Sequence, residues 1–194
     1  MKRIRLCKKL QQKYHVVNKK YYCVKYKKSP NGDFLFFSFV LHAKIIYMKV
    51  LFICKGNMTR SQMAEALFNH LAGDDLYAES AGIVPGTIPE EPENQKLSDV
   101  GYLKDALRVM KEIDLDISEK RTRRVSEAMT ENFDLIVNMA EKQTLPDFLF
   151  NSAKVIHWDI PNPGLNYSAT LGAKNTILKM VEKLIEDSTK RGLR

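Results

Sequence analysis

Cysteine is scarce in this 194-residue chain. Cys7, Cys23 and Cys54 are the only three, too few and too scattered for a disulfide framework or a zinc site, both of which need clustered spacing. No stretch approaches the roughly 20 apolar residues that a membrane helix requires. The longest candidate, Phe34 to Val40, is interrupted by Ser38 and followed by His42 and Lys44, and no small-residue cleavage pattern follows it as in a secretory signal. Internal repeats are absent as well. These absences argue against export and against a membrane partner, and a reducing cytoplasm fits best.

What is present is unevenly distributed. The net charge of +8 suggests a nucleic-acid partner until it is divided along the chain. Residues 1–47 hold 12 of the 31 Lys and Arg residues and a single acid, Asp33, leaving 19 basic against 22 acidic residues in 48–194. The basic character therefore belongs to the leader, which also holds five of the eight tyrosines and four of the nine phenylalanines without a helical or strand period. Residues 1–47 read as a basic extension, either disordered or an artefact of start-site choice, with Met48 a plausible true start; an RNA- or lipid-touching arm and an ordered addition are the competing views. Residues 48–194 read as one domain, and the 44% apolar composition of the chain is ample for a core.

From Met48 the pattern is regular. Val50 to Ile53 form a short continuous apolar run, as in a strand buried on both faces of a parallel sheet. Ala64, Leu67, Phe68 and Leu71 fall at i, i+3, i+4 and i+7, a helical stripe that Gly73 can terminate. Leu76 to Ala81 reads as a second strand, Pro85 to Glu93 as an exposed loop, and Leu103, Ala106, Leu107 and Met110 as the next helical stripe. Phe133 to Val137 and Lys154 to Trp158 are two further strands flanking a charged helical stretch from Glu141 to Phe150. Ala173, Ile177, Met180, Val181 and Leu184 mark the last helix. Strands alternating with helices predict an α/β fold with a parallel sheet covered on both sides.

The segment Cys54-Lys55-Gly56-Asn57-Met58-Thr59-Arg60-Ser61 lies between the first of these strands and its helix, where open α/β sheets place ligand sites. Five residues between Cys54 and Arg60 suffice for a loop whose N–H groups point at one centre, and Gly56 and Asn57 tolerate the left-handed dihedrals of such a turn. Inward amides form an anion nest, the helix N-terminus near Ser61 adds partial positive charge, and Arg60 supplies a planar fork for two phosphate oxygens. The same field favours the thiolate of Cys54, which can attack phosphorus to give a phosphocysteine. Ser61 is placed to hydrogen-bond the sulfur as it leaves. Arg60 and the loop amides already stabilise the equatorial oxygens, so neither a metal nor another cofactor is needed.

This segment resembles the low-molecular-weight protein tyrosine phosphatase family, whose signature is a Cys-x5-Arg-Ser loop directly after an N-terminal strand. Gln62-Met63-Ala64-Glu65-Ala66, Ser80-Ala81-Gly82, Asp116-Ile117-Ser118 and the loop from Trp158 to Pro163 look like that family in the same order, so the likeness covers nearly all of 48–194. It implies a three-layer α/β/α fold with a four-stranded parallel sheet in the order 2-1-3-4. It also implies phosphate binding by Lys55, Gly56, Asn57, Met58, Thr59 and Ser61, and support of that loop by Ser80. The implied function is hydrolysis of a phosphoester, first of all protein phosphotyrosine, with phosphorylated proteins, small phosphoesters and inorganic phosphate or another tetrahedral oxyanion as partners.

The chain departs from the family pattern in ways that bear on function. The family's general acid is an aspartate before proline; here that position is Asn162, before Pro163, and Asp159 is the candidate replacement. Thr59 stands where many relatives have a second cysteine, and no cysteine follows Cys54, which weighs against the thioredoxin-coupled arsenate reductases that share Arg60-Ser61-Gln62-Met63 but use downstream cysteines as relays. An arsenate reductase using an external thiol and an acid-deficient phosphate-binding module are the alternatives. Met58 gives the loop an apolar wall suited to an aromatic phosphoester, whereas related arginine phosphatases carry threonine there. Gly164 stands where tyrosine phosphatases often present an aromatic ring. Lys120, Arg121, Arg123 and Arg124 read as a solvated face at the start of a helical segment, and His70 and His157 as structural histidines rather than partners of Cys54.

Overall fold

The computed structural model describes residues 48–73, 75–84 and 93–192, together with the backbone of three strands in the leader. Those strands, β1 (Gln12–Val17), β2 (Lys20–Lys28) and β3 (Phe34–Leu41), pair antiparallel in the order β1-β2-β3 and form a unit of their own. The leader thus differs from the aperiodic segment expected. Its Tyr, Phe and Val residues favour extended backbone whether or not they alternate with polar ones, so propensity can act where a period-2 pattern is missing.

The second unit begins with β4 (Met48–Cys54), whose Val50, Leu51, Phe52 and Ile53 are wholly buried. It is followed by α1 (Arg60–Leu71), β5 (Leu76–Gly82), α2 (Lys104–Lys111), α3 (Glu127–Thr130), β6 (Leu135–Asn138), α4 (Asp147–Phe150), β7 (Val155–His157) and α5 (Tyr167–Gly192). The sheet is parallel in the order β5-β4-β6-β7, which is 2-1-3-4 within this unit. A continuous apolar strand at the centre is what two covered faces require.

One face carries α1, α2 and α5. Phe52 lies 5.8 Å from Phe68 of α1 and 5.5 Å from Trp158, centroid to centroid, amid Met63, Leu67, Met110, Ile177 and Val181. The other face buries Leu51, Ile53 and Ile136 against Val125, Phe133 and Leu149. Each fully buried large side chain contributes about 1.5–3 kcal/mol of transfer free energy.

Several local expectations are corrected. α1 does not end on a left-handed Gly73; Ala72 closes it in extended conformation (φ −73°, ψ 145°), its N–H bonded to Phe68 O. The stretch from Glu141 to Phe150 is not one helix but a 3-10 turn, Lys142–Thr144, and the four-residue α4, divided at Pro146, which lacks the N–H an uninterrupted helix needs. Apart from Glu93, the loop expected from Pro85 to Glu93 lies outside the described residues.

Candidate active site

β4 is flanked by β5 on one side and β6 on the other, so the chain leaves the sheet in opposite directions around it. This is the switch point at which open parallel sheets form a crevice beyond their carboxyl edge, and Cys54 is the last residue of β4. Residues 55–59 connect it to Arg60, the first residue of α1. Among the described residues, no protein acceptor takes the amide N–H of Lys55, Gly56, Asn57, Met58 or Thr59, although Gly56, Asn57 and Met58 are buried. Buried amides without acceptors are costly, and a tetrahedral anion offers them several oxygens at once.

Asn57 fixes the loop's shape. Its φ of 52° lies in the left-handed region that asparagine enters more readily than most residues. Its Nδ2 donates to Ser61 Oγ at 3.0 Å and to Ser80 Oγ at 2.9 Å, while its Oδ1 accepts from Arg123 N at 2.8 Å and Gln62 Nε2 at 3.2 Å. Gln62 Nε2 also reaches Asn57 O at 3.1 Å and Arg121 O at 3.0 Å. The loop is therefore tied to α1, to β5 and to the chain after Lys120. Ser61 Oγ lies 3.1 Å from Cys54 Sγ.

Arg60 is buried and its Nη1 donates to Met139 O at 2.5 Å and Ile160 O at 3.0 Å. Those two carbonyls hold one nitrogen of the guanidinium and leave Nε and Nη2 as the donors for a ligand, a division a lysine ammonium cannot reproduce. Ile160 belongs to the loop after β7, so Arg60 also fixes the segment that contains Asp159 and Asn162. Asp159 is exposed between buried Trp158 and Ile160. Asn162 is exposed as well, its Oδ1 accepting from Gly164 N at 3.4 Å, and Gly164 has φ +56°.

Gly82 closes the site from β5. A Cβ there would meet Asn57 N at 2.9 Å and Gly56 C at 3.0 Å, both backbone atoms that cannot swing away. Gly82→Ala should therefore lower stability by about 1–3 kcal/mol, as overpacking does. It should reduce turnover further by moving the loop amides. Thermal unfolding together with kcat/KM checks both.

Two sequence expectations change here, and a third gains detail. Met58 does not offer an open apolar wall; it is buried in the core cluster, and Tyr102 Oη donates to its Sδ at 2.9 Å. The basic cluster does not start a helix. Its Arg121, Arg123 and Arg124 are exposed, as a solvated face requires, while Lys120 pairs with Glu65, Arg123 with Glu79 at 2.6 Å and Arg124 with Glu93 at 3.6 Å. His157 is a structural histidine of a specific kind. Asn138 Oδ1 accepts from Ala140 N, so its Nδ2 donates to His157 Nδ1 at 3.0 Å. Partial desolvation and the Lys142 charge hold the imidazole below its ordinary pKa, as that acceptor role requires. His70 is exposed on α1.

Glu65, Lys120, Arg123 and the carbonyls of Met139 and Ile160 were missed by sequence reading. Glu65 stands one helical turn after Ser61, a spacing that could have singled it out; the others come from distant segments that carry no local signal.

A family model described as "Low molecular weight phosphotyrosine protein phosphatase" matches residues 49–191. Arsenate reductase 1 of Staphylococcus haemolyticus is 31% identical over 116 residues, 59% of this chain and 76% of that protein. A low molecular weight protein tyrosine phosphatase from T. tengcongensis is 29% identical with a TM-score of 0.61, covering 72% of this chain and 99% of that one. An arginine phosphatase from Geobacillus stearothermophilus, at 20% identity and a TM-score of 0.62, covers 75% of this chain and 96% of that one and shares the fold.

Proposed function

Because the chain belongs to the low molecular weight phosphotyrosine protein phosphatase family, we propose that its 48–194 domain hydrolyses phosphoesters, protein phosphotyrosine foremost, through a phosphocysteine on Cys54. The observation that supports this most is the conjunction of a sulfur 3.1 Å from Ser61 Oγ, a run of buried loop amides without protein acceptors, and a buried Arg60 with two donors to spare.

In the first step Cys54 Sγ attacks phosphorus. The S–P bond forms, the P–O bond to the leaving group breaks, and Asp159 gives the departing oxygen its proton. The amides of Lys55, Gly56, Asn57, Met58, Thr59 and Ser61, with Arg60, hold the three equatorial oxygens as charge shifts among them. In the second step water attacks the phosphocysteine, Asp159 takes its proton, and sulfur leaves as a thiolate that Ser61 receives as a hydrogen-bond donor. Asn162, at the family's acid position, has no titratable proton and orients its loop instead. The nucleophile must stay reduced, which suits the cytoplasm.

A second reading draws on the curated relatives named arsenate reductases. Cys54 would form an S–As bond with arsenate, displacing hydroxide. Because no cysteine follows Cys54, two external thiols would supply the electrons, leaving as a disulfide while arsenic goes from As(V) to As(III).

One experiment separates the two: turnover of phosphotyrosine peptide, phosphoarginine peptide, and arsenate with a low-molecular-weight thiol, by the full chain and by residues 48–194. Hydrolysis of phosphotyrosine with no thiol-dependent arsenate reduction supports the phosphatase. The reverse supports the reductase, and loss of activity without residues 1–47 would overturn the assignment of catalysis to the domain alone. We expect the two chains to agree in kcat/KM within about twofold, since catalytic machinery so complete needs no further residues.

A further inference from the structure

The segment from Cys54 to Ser61 turns almost all of its side chains away from solvent. Cys54, Gly56, Asn57, Met58, Arg60 and Ser61 are buried and Thr59 is half-buried, whereas Lys55 is exposed. Its backbone is nonetheless held in place. Ile83 N donates to Cys54 O at 3.1 Å and Val84 N to Lys55 O at 2.9 Å, so bonding between the ends of β4 and β5 continues past the sulfur and pins the residue beside it. The charge of Lys55 is uncommitted. Among the described residues no carboxylate pairs with it, while Lys120, Arg123 and Arg124 are each matched to a glutamate.

We propose that Lys55 is a specificity-determining residue, selecting phosphotyrosine that has an acidic residue beside it in the peptide by pairing its ammonium with that carboxylate. The inference rests on the phosphatase reading, in which the loop amides hold the phosphoryl group. The backbone of Lys55 then stands level with phosphorus, and its flexible four-carbon stem is long enough to rise along the aromatic ring toward the peptide chain. The loop amides and Arg60 already serve the phosphoryl oxygens, which leaves this ammonium for what lies beyond them. A rim charge of this kind acts on the choice of partner more than on raw affinity.

The test is a double-mutant cycle on binding, in the full chain carrying Cys54→Ser so that no turnover intervenes. Three phosphotyrosine peptides are titrated, alike except for Glu, Gln or Lys on both sides of the phosphorylated residue. At low ionic strength the Glu peptide should bind roughly 3- to 5-fold more tightly than the Gln peptide, the upper range for an exposed ion pair. Lys55→Gln should bring that ratio to about 1, Lys55→Arg should keep it, and Lys55→Glu should reverse it in favour of the Lys peptide. Added salt should shrink the ratio where Lys55 is present and leave it unchanged in Lys55→Gln. A general contribution of the lysine to the anion site predicts instead that Lys55→Gln weakens all three peptides by one factor. That outcome, an acidic preference that survives Lys55→Gln, or no binding of any of the peptides overturns the proposal. Hydrolysis is scored separately with Cys54 intact: peptides bound in the predicted order but left unhydrolysed refute the phosphatase reading alone, and hydrolysis with an order independent of Lys55 refutes the role of Lys55 alone.

Discussion

Cys54→Ser should lose p-nitrophenyl phosphate hydrolysis by about 10⁴-fold or more, which is roughly 5.5 kcal/mol of transition-state stabilisation. Serine keeps the position and nearly the size of the side chain, so the variant should fold as wild type does and still protect its loop with phosphate. What it loses is the easily ionised, polarisable atom that forms the covalent intermediate. The hydroxyl would also lie beside Ser61 Oγ, which is 3.1 Å from the sulfur in the wild type. A fall in kcat with phosphate affinity retained places the loss in chemistry. A fall in both, with a lowered melting temperature, would instead mark Cys54 as a core residue.

The second large effect concerns the proton. Asp159 is exposed, yet its neighbour Ile160 gives its carbonyl to Arg60, so the aspartate sits on a loop anchored to that buried guanidinium. Asp159→Asn should slow hydrolysis of alkyl phosphates and phosphotyrosine by roughly 10²–10⁴-fold, the usual worth of general acid catalysis. p-Nitrophenyl phosphate should suffer far less in its first step, because p-nitrophenolate departs with little help. A plot of log kcat/KM against leaving-group pKa should be shallow in wild type and steep in the variant. Equal, steep slopes in both would mean that the domain has no acid.

These residues differ in how plainly the sequence announces them. Cys54, Asn57, Arg60 and Ser61 fall within one eight-residue segment, and their proposed roles follow from a strand, a short loop and a helix start, all visible as a change of period at Met48. The sheet was legible for the same reason: Val50 to Ile53 is apolar throughout because both faces are covered. The four-residue helices α3 and α4 show no stripe, since one turn cannot repeat. Met58 was misread because an apolar side chain beside a site looks like a binding wall whether it faces the ligand or the core. The pairing of Lys120 with Glu65 joins residues 55 apart, and that of Arg123 with Asn57 joins residues 66 apart. Nothing local encodes such partners, for they meet only when β5 and the chain before α3 close on the loop.

The central claim is that the phosphoryl group passes through the sulfur of Cys54. Acid-quenching the protein within milliseconds of mixing with p-nitrophenyl phosphate and mapping its peptides by mass tests this directly. One phosphate on the peptide that contains Cys54, disappearing as substrate is exhausted, is the predicted result. Turnover with that peptide unmodified at every time point would contradict it.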